Sequence, residues 1–342
     1  MKIRFSDDNR IFNQHTGAVP YISVDMLDRL GVPNLYSTRY LSYDAKSGSG
    51  VKGIRMAVMK TDVLEEASPV CRANRDRLAR QLGTDLSMEL VTDQKHTNNV
   101  YVAVSEAELG IATVGNFALH RQYVDGIVTN IPGALLTAFG GDCPPVYIAD
   151  PVRGCAGLVH AGWKGTLGKI PQVAIAQMTV RFGCDPSDMY AAIGPGVCRD
   201  CYEMGDEVYD MFAAQWGRDD ADRILKRYAP GTESEAFARA KMEKMQASGA
   251  GRIVTGAVLS GDTGDAVNKD GQPERLEGKY HLDLREANLI TLLRAGIPED
   301  HIAVSNVCTM CNTDTFYSYR AGKMENEQVA MMVNRFGQQL RI

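Results

Sequence analysis

Between residues 88 and 162 the chain passes through six short apolar stretches, most of them closed by Gly, Pro or Asp. They are MELVTDQ (88–94), VYVAV (100–104), VDGIVTN (124–130), ALLTAF (134–139), PVYIAD (145–150) and CAGLVHAG (155–162). A strand with one wet face alternates apolar and polar residues, whereas these runs are nearly continuous, as strands covered on both faces are. Such strands need packing layers above and below them. The 342 residues, 44% hydrophobic and 23% charged, supply that material and fall outside the disordered range.

Helical patterns flank the β-rich centre. Ser68-Pro69 reads as a helix start, followed by CRANRDRLARQLG with Gly83 in the left-handed closing position. Residues 165–183 read as one helix with Pro171 in its middle. Residues 203–217 and 282–296 read as amphipathic helices, with Asp283 and Asn288 capping and stabilising the second. MYAAIGPG, DHIAVSN, FYSYR and QVAMMV read as further strands. The expectation is an α/β (α+β) fold, a single layered domain over residues 1–342 with sheets sandwiched between helices. Residues 217–279, rich in charge, Gly and Ser, read as an insertion.

Several function classes are excluded by pattern. No apolar run is long enough to span a bilayer. The start MKIRFSDDNR lacks the apolar segment of a secretory signal, so a cytoplasmic protein is expected. A net charge of −5 and a pI near 5.7 give no nucleic-acid footprint. Neither a dinucleotide fingerprint nor a P-loop occurs, and the calcium-loop-like NKDG lacks an oxygen ligand at its first position. Nothing in the sequence specifies an oligomeric state.

Eight cysteines in such a chain read as reduced thiols. Two CxxC pairs, Cys198/Cys201 and Cys308/Cys311, offer four thiolates to a structural zinc. About a hundred residues separate the pairs, far beyond compact zinc-ribbon spacing, so separate buried thiols are expected. Three other residues carry a chemical signal. His96, Cys143 and His160 each fall at the end of an expected strand, where irregular backbone turns side chains toward a common space. A thiolate and two imidazoles suit Zn²⁺, and three protein ligands leave a fourth position open for catalysis. The same residues also allow a metal-free pair in which His160 activates Cys143 as a nucleophile.

The phrases around these residues resemble one family. GDCPPVYIADP and HAGWKGTLGKI, with STR (37–39), ANRDRLARQLG, QKH ending at His96, VDGIVTN, IGPGVCRDCYEMG, LDLREANL and VCTMCNTDTFYSYRAG in order, are similar to the polyphenol oxidase or laccase-domain proteins. Members are also known as peptidoglycan editing factors and purine nucleoside phosphorylases. The resemblance spans nearly the whole chain apart from the insertion. It implies zinc held by His96, Cys143 and His160 in a layered α/β domain. It also implies phosphorolysis of adenosine, inosine and methylthioadenosine and deamination of adenosine, with nucleoside and phosphate as the partners. A multicopper laccase site is not expected, since the six histidines form no His-x-His pair.

Phosphorolysis needs cations for phosphate, and Arg39, Lys164 and Arg320 lie in matched phrases. Asp142, beside Cys143, is a candidate acid/base or a group orienting His160. Tyr202 and Trp163 are candidate pocket walls. The chain departs from the family at Gly141 (usually Ala), Lys164 (usually Arg), YLSYDAK after STR, and the missing Gly-Arg near Glu325-Asn326, which bears on substrate scope. Amide hydrolysis of a cell-wall precursor is the alternative enzymatic reading. A zinc-stabilised redox-sensing module using the CxxC thiols is the non-enzymatic one.

Overall fold

A computed structural model describes residues 11–16, 19–44, 49–52, 54, 56, 64–110, 123–228, 236, 240, 279–322 and 326–336. Two six-stranded sheets carry the architecture. The first runs, in spatial order, β1 (Phe12–His15), β2 (Tyr21–Val24), β3 (Asn34–Ser37), β17 (Gln328–Val333), β9 (Leu135–Gly140) and β6 (Glu89–Val91). The second runs β16 (Ile302–Val304), β12 (Tyr190–Ile193), β10 (Pro145–Asp150), β11 (Cys155–His160), β8 (Gly126–Thr129) and β7 (Val100–Ala103). A third sheet joins β13 (Glu203–Met204), β15 (Tyr280–Leu282) and β14 (Leu225–Arg227), and β4 (Tyr40–Asp44) pairs with β5 (Ser49–Lys52).

Strand β10 shows why the apolar runs are continuous. Alternate side chains of a strand point to opposite faces. Tyr147 and Ala149 therefore enter the space between the sheets, with Leu136, Ala330 and Met332 of the facing sheet. Val146 and Ile148 turn the other way, into a cluster with Ile175 and Met178 of α4 (Ile170–Phe182) and Leu292 of α7 (Leu284–Arg294). On the far side, Leu35, Leu135 and Met331 pack with Leu78 of α2 (Leu64–Gln81) and with Leu82 just past its end. The order is helix, sheet, sheet, helix, the layered α/β class expected from the sequence. The short helix α1 (Asp25–Arg29) follows β2. A fourth cluster holds Val208 and Phe212 of α5 (Asp206–Trp216), Ile224 of α6 (Arg218–Ile224) and Leu282.

Three local expectations are corrected. Helix α2 starts at Leu64, before Ser68-Pro69, and Pro69 lies inside it. As the sixth residue of the helix, Pro69 gives up the bond its N–H would make to the Glu65 carbonyl, the usual cost of a proline inside a helix. Residues 163–183 form two helices, α3 (Trp163–Leu167) and α4, broken at Lys169, whose φ of 57° is left-handed. Pro171 thus occupies the first turn of α4, where its missing N–H has no partner to lose. FYSYR is a bend, a single bridge residue at Ser318 and a turn, not a strand, and the Ser318 hydroxyl and the Arg320 N–H bond the Asp142 carboxylate. Of the expected insertion at about 217–279, the first part is described: Ala221 and Ile224 are core residues, and β14 pairs with β15. GDTGDAVNKDG and the rest of 229–278, except 236 and 240, lie outside the described residues. Among the described residues no helix is long and apolar enough to cross a membrane.

A buried ion pair ties α2 to β6, the strand that leads to His96. Arg75 Nε donates to Glu89 Oε1 at 3.1 Å, and both side chains are 1% exposed. Arg75 also donates to the Met56 carbonyl and lies over the Phe139 ring. Removing one partner of such a pair leaves an uncompensated buried charge. Glu89→Ala is expected to cost about 3–5 kcal/mol in urea unfolding, and the Arg75→Met/Glu89→Leu double variant far less.

Candidate metal centre and active site

The register of the second sheet assembles the site. Strands β10 and β11 are antiparallel with Pro145 opposite His160, so the turn before β10 lies beside the end of β11. That turn carries Cys143. Strands β7 and β8 are parallel with Val100 opposite Gly126, so the segments before them, holding His96 and Asp125, leave the same edge. The ligand atoms of His96, Cys143 and His160 all lie within 4.8 Å of one another. Cys143 Sγ is 3.9 Å from His96 Nε2, and the two imidazole rings meet edge to face with centroids 4.9 Å apart.

Asp125 organises this trio, and sequence reasoning passed over it. Its carboxylate accepts from His160 Nδ1 at 2.9 Å, which leaves Nε2 as the free nitrogen of that ring. It also accepts from the backbone N–H groups of Lys95, His96 and Thr97 at 3.1, 2.9 and 2.7 Å, and from Thr97 Oγ1 at 2.8 Å. His96 adopts φ 60°, a strained left-handed conformation for a side-chain-bearing residue, and the Asp125 bonds hold it there. The only sequence hint was the place of Asp125 inside VDGIVTN, ahead of a strand.

Electrostatics follow from these contacts. Burial opposes the charge on Asp125, but the His160 and Thr97 bonds prevail and hold its carboxyl down at about 2. Burial likewise opposes ionisation of both Cys143 and His160. Each outweighs that effect in the other: the Cys143 thiol is lowered to about 6 by His160 and His96, and His160 is raised to about 10 by Cys143 and Asp125. A ready thiolate with two imidazoles is a donor set suited to Zn²⁺. The site is also kept open at its centre. A Cβ on Gly162 would stand 2.7 Å from His96 Cδ2 and 3.1 Å from Cys143 Sγ, so only glycine leaves the three ligand side chains their room.

The remaining candidates separate into groups. Asp142 does not orient His160, a task done by Asp125. Buried and at φ 95°, it accepts from Thr309 Oγ1 (2.5 Å), Ser318 Oγ (2.9 Å) and the Arg320 N–H (2.7 Å), and so pins the 309–320 segment beside Cys143. Arg320 lies over the ring of buried Tyr202 at 4.7 Å. Burial first, then the nearby Cys143 charge, raises the Tyr202 hydroxyl, which sets this pair close to the trio. Arg39 is drawn to the 313–317 turn, donating to the Thr313 carbonyl and lying over Tyr317. Lys164 is exposed on α3 with its ammonium over the Trp163 ring, and Trp163 packs against the cluster around α5. Glu327, two residues past Glu325, is a further carboxyl near the trio: burial raises it and the charges of His160 and His96 lower it. No sequence motif singled it out.

Because Asp125 fixes the ring orientation of one candidate ligand and the backbone of another, Asp125→Asn is expected to weaken metal binding at the trio about 10–100-fold in chelator competition. Gly162→Ala is expected to weaken it as well, by crowding His96. Unchanged affinity in both variants would contradict this description of the site.

The family model described as multi-copper polyphenol oxidoreductase laccase matches residues 57–258 and 249–334. The chain is 30% identical over 283 residues to purine nucleoside phosphorylase YlmD of Geobacillus stearothermophilus, covering 83% of this chain and 82% of that protein. It is 29% identical over 243 residues to adenosine deaminase RL5 from an unknown prokaryotic organism, covering 71% and 73%. The crystal structure of YlmD from Geobacillus stearothermophilus superposes with a TM-score of 0.67 at 26% identity, over 96% of this chain and all of that one. With the family model, a relative 30% identical over most of both chains and a full-length fold match in agreement, the chain belongs to the laccase-like polyphenol oxidoreductase family.

Proposed function

We propose that this protein is a zinc-dependent purine nucleoside phosphorylase that also deaminates adenosine. The observation that carries the reading is the converging trio His96, Cys143 and His160, a donor set of three with one coordination position to spare. The names borne by the relatives support the substrate class. When bound there, zinc supplies a Lewis acid at that open position. His96 Nε2, Cys143 Sγ and His160 Nε2 would hold it, and Asp125 fixes the His160 tautomer.

The surrounding residues divide the work of binding. In phosphorolysis an oxygen of inorganic phosphate attacks C1′ of the nucleoside as the bond to the purine breaks. Arg320 and Lys164 are assigned to the phosphate oxygens, with Arg320 held in place by Tyr202 and by the bond of its own N–H to Asp142. Asp142 is a positioning residue in this scheme, since its two oxygens are occupied by the segment it anchors. Arg39 stiffens the 313–317 turn behind that segment. Glu327 is assigned proton exchange with a nitrogen of the purine. In deamination the same pocket accepts water in place of phosphate, and ammonia leaves from C6.

The test is product analysis by chromatography and mass spectrometry on adenosine and inosine, with and without phosphate, beside Cys143→Ala. Free base and ribose 1-phosphate, dependent on phosphate and absent in the variant, are expected. Phosphate-independent inosine from adenosine is expected from the deaminase activity. Arg320→Met is expected to raise the KM for phosphate by about tenfold or more, as the loss of a charged hydrogen bond does. No turnover of either nucleoside would overturn the proposal and direct attention to amide hydrolysis of cell-wall precursors.

A further inference from the structure

The two CxxC pairs, expected from the sequence to act apart, meet in one place. Strand β12 runs parallel to its neighbour β16, with Ala191 beside Ile302 and Ile193 beside Val304. Two parallel strands send their following loops out of the same edge. The pairing continues past the strands as a parallel bridge between Gly196 and Cys308. Cys198/Cys201 and Cys308/Cys311 are therefore carried side by side, although 110 residues separate each facing pair. Spacing along the chain could not reveal this, because the contact is made by sheet topology.

The four sulfurs all lie within 4.8 Å of one another. Cys201 Sγ and Cys311 Sγ are 3.7 Å apart. A tetrahedral zinc with Zn–S bonds of about 2.3 Å has sulfur–sulfur edges of about 3.8 Å. An iron–sulfur cluster places several iron and sulfide atoms between its cysteines and holds them farther apart than these. Each CxxC closes a single 3₁₀ turn, Arg199–Cys201 in one and Met310–Asn312 in the other. Cys308 Sγ accepts two backbone N–H groups, from Cys198 and Cys311, both at 3.3 Å. Burial and the Cys198 thiol push the Cys308 thiol up, so these paired amide donors suit a metal-bound sulfur rather than a free thiolate. Cys198, Cys201 and Cys308 are buried within an apolar cluster with Val197, Met204 and Met310, which shields them from exchange with solvent.

We infer that Cys198, Cys201, Cys308 and Cys311 form a second, structural zinc site with four thiolate ligands and no open position. Binding removes the remaining thiol protons to solvent and forms four Zn–S bonds, with no change of oxidation state. The site staples the 197–204 segment to the 307–320 segment. The first carries Tyr202, and the second carries Thr309, Ser318 and Arg320, the groups that bind Asp142 beside Cys143. A closed metal site thus fixes one wall of the open one. The inference does not depend on the reaction proposed above.

Metal counting on the full-length protein, produced with added zinc, tests it. Elemental analysis is expected to give two zinc ions per chain. Cys143→Ser is expected to retain one, and Cys201→Ser and Cys311→Ser are each expected to lose one. Cobalt exchanged into Cys143→Ser is expected to show the intense sulfur-to-metal charge-transfer bands of four thiolates, a readout that needs no CxxC variant to fold. One zinc per chain in the parent, all of it lost in Cys143→Ser, would overturn the inference. So would an intact mass lacking two hydrogens, the mark of a Cys201–Cys311 disulfide in freshly purified protein. Retention of zinc by Cys143→Ser alongside a parent inactive on nucleosides would leave this site standing while the proposed reaction fell.

Discussion

The candidate site depends on one buried carboxylate. Asp125 is 1% exposed, and its two oxygens receive three backbone N–H groups, one hydroxyl and one imidazole. A carboxylate removed from water is costly unless its lone pairs are filled, and here they are filled by the residues that must be held still. The 95–97 backbone wraps the carboxylate and turns His96 into a left-handed conformation. The same group fixes the ring of His160 from behind. Two of the three candidate metal donors are thus oriented by a single side chain at the entrance to β8.

The sheets supply the rest of the precision. With both faces covered, register cannot slip, because a shift by one residue would exchange the facing-sheet and helix-facing side chains of β10. The register that sets Pro145 opposite His160 is therefore fixed by packing far from the site, including Tyr147, whose hydroxyl crosses to the Leu35 carbonyl of the other sheet. Cys143 inherits its position from that register, and Asp142 holds the opposing segment against it. Rigid strands thus deliver functional groups through short irregular ends, a division of labour suited to a site needing sub-ångström placement.

Much of this was legible in the sequence. The continuous apolar runs predicted strands covered twice, and Cys143 and His160 were conspicuous because each adjoined such a run and lay in a recognisable phrase. Local signals also located the Asp283 cap, whose side chain accepts from Arg285 and Glu286 N–H groups. What escaped was set by long-range geometry. Asp125 looks like any turn residue until His160 and the 95–97 backbone are brought to it. The CxxC pairs were separated in sequence and joined by a parallel strand pair. FYSYR had strand composition, yet Asp142 claimed its polar groups. The break at Lys169 was misread because Pro171 fits the middle of a kinked helix and the first turn of a new one equally well in composition.

The most direct test of the central claim is an anomalous difference map at the zinc edge from crystals of the full chain. The account predicts a peak bounded by His96 Nε2, Cys143 Sγ and His160 Nε2, with His160 Nδ1 still bonded to Asp125. A zinc-loaded crystal with no peak among these three atoms, or with His160 released from Asp125, would contradict it.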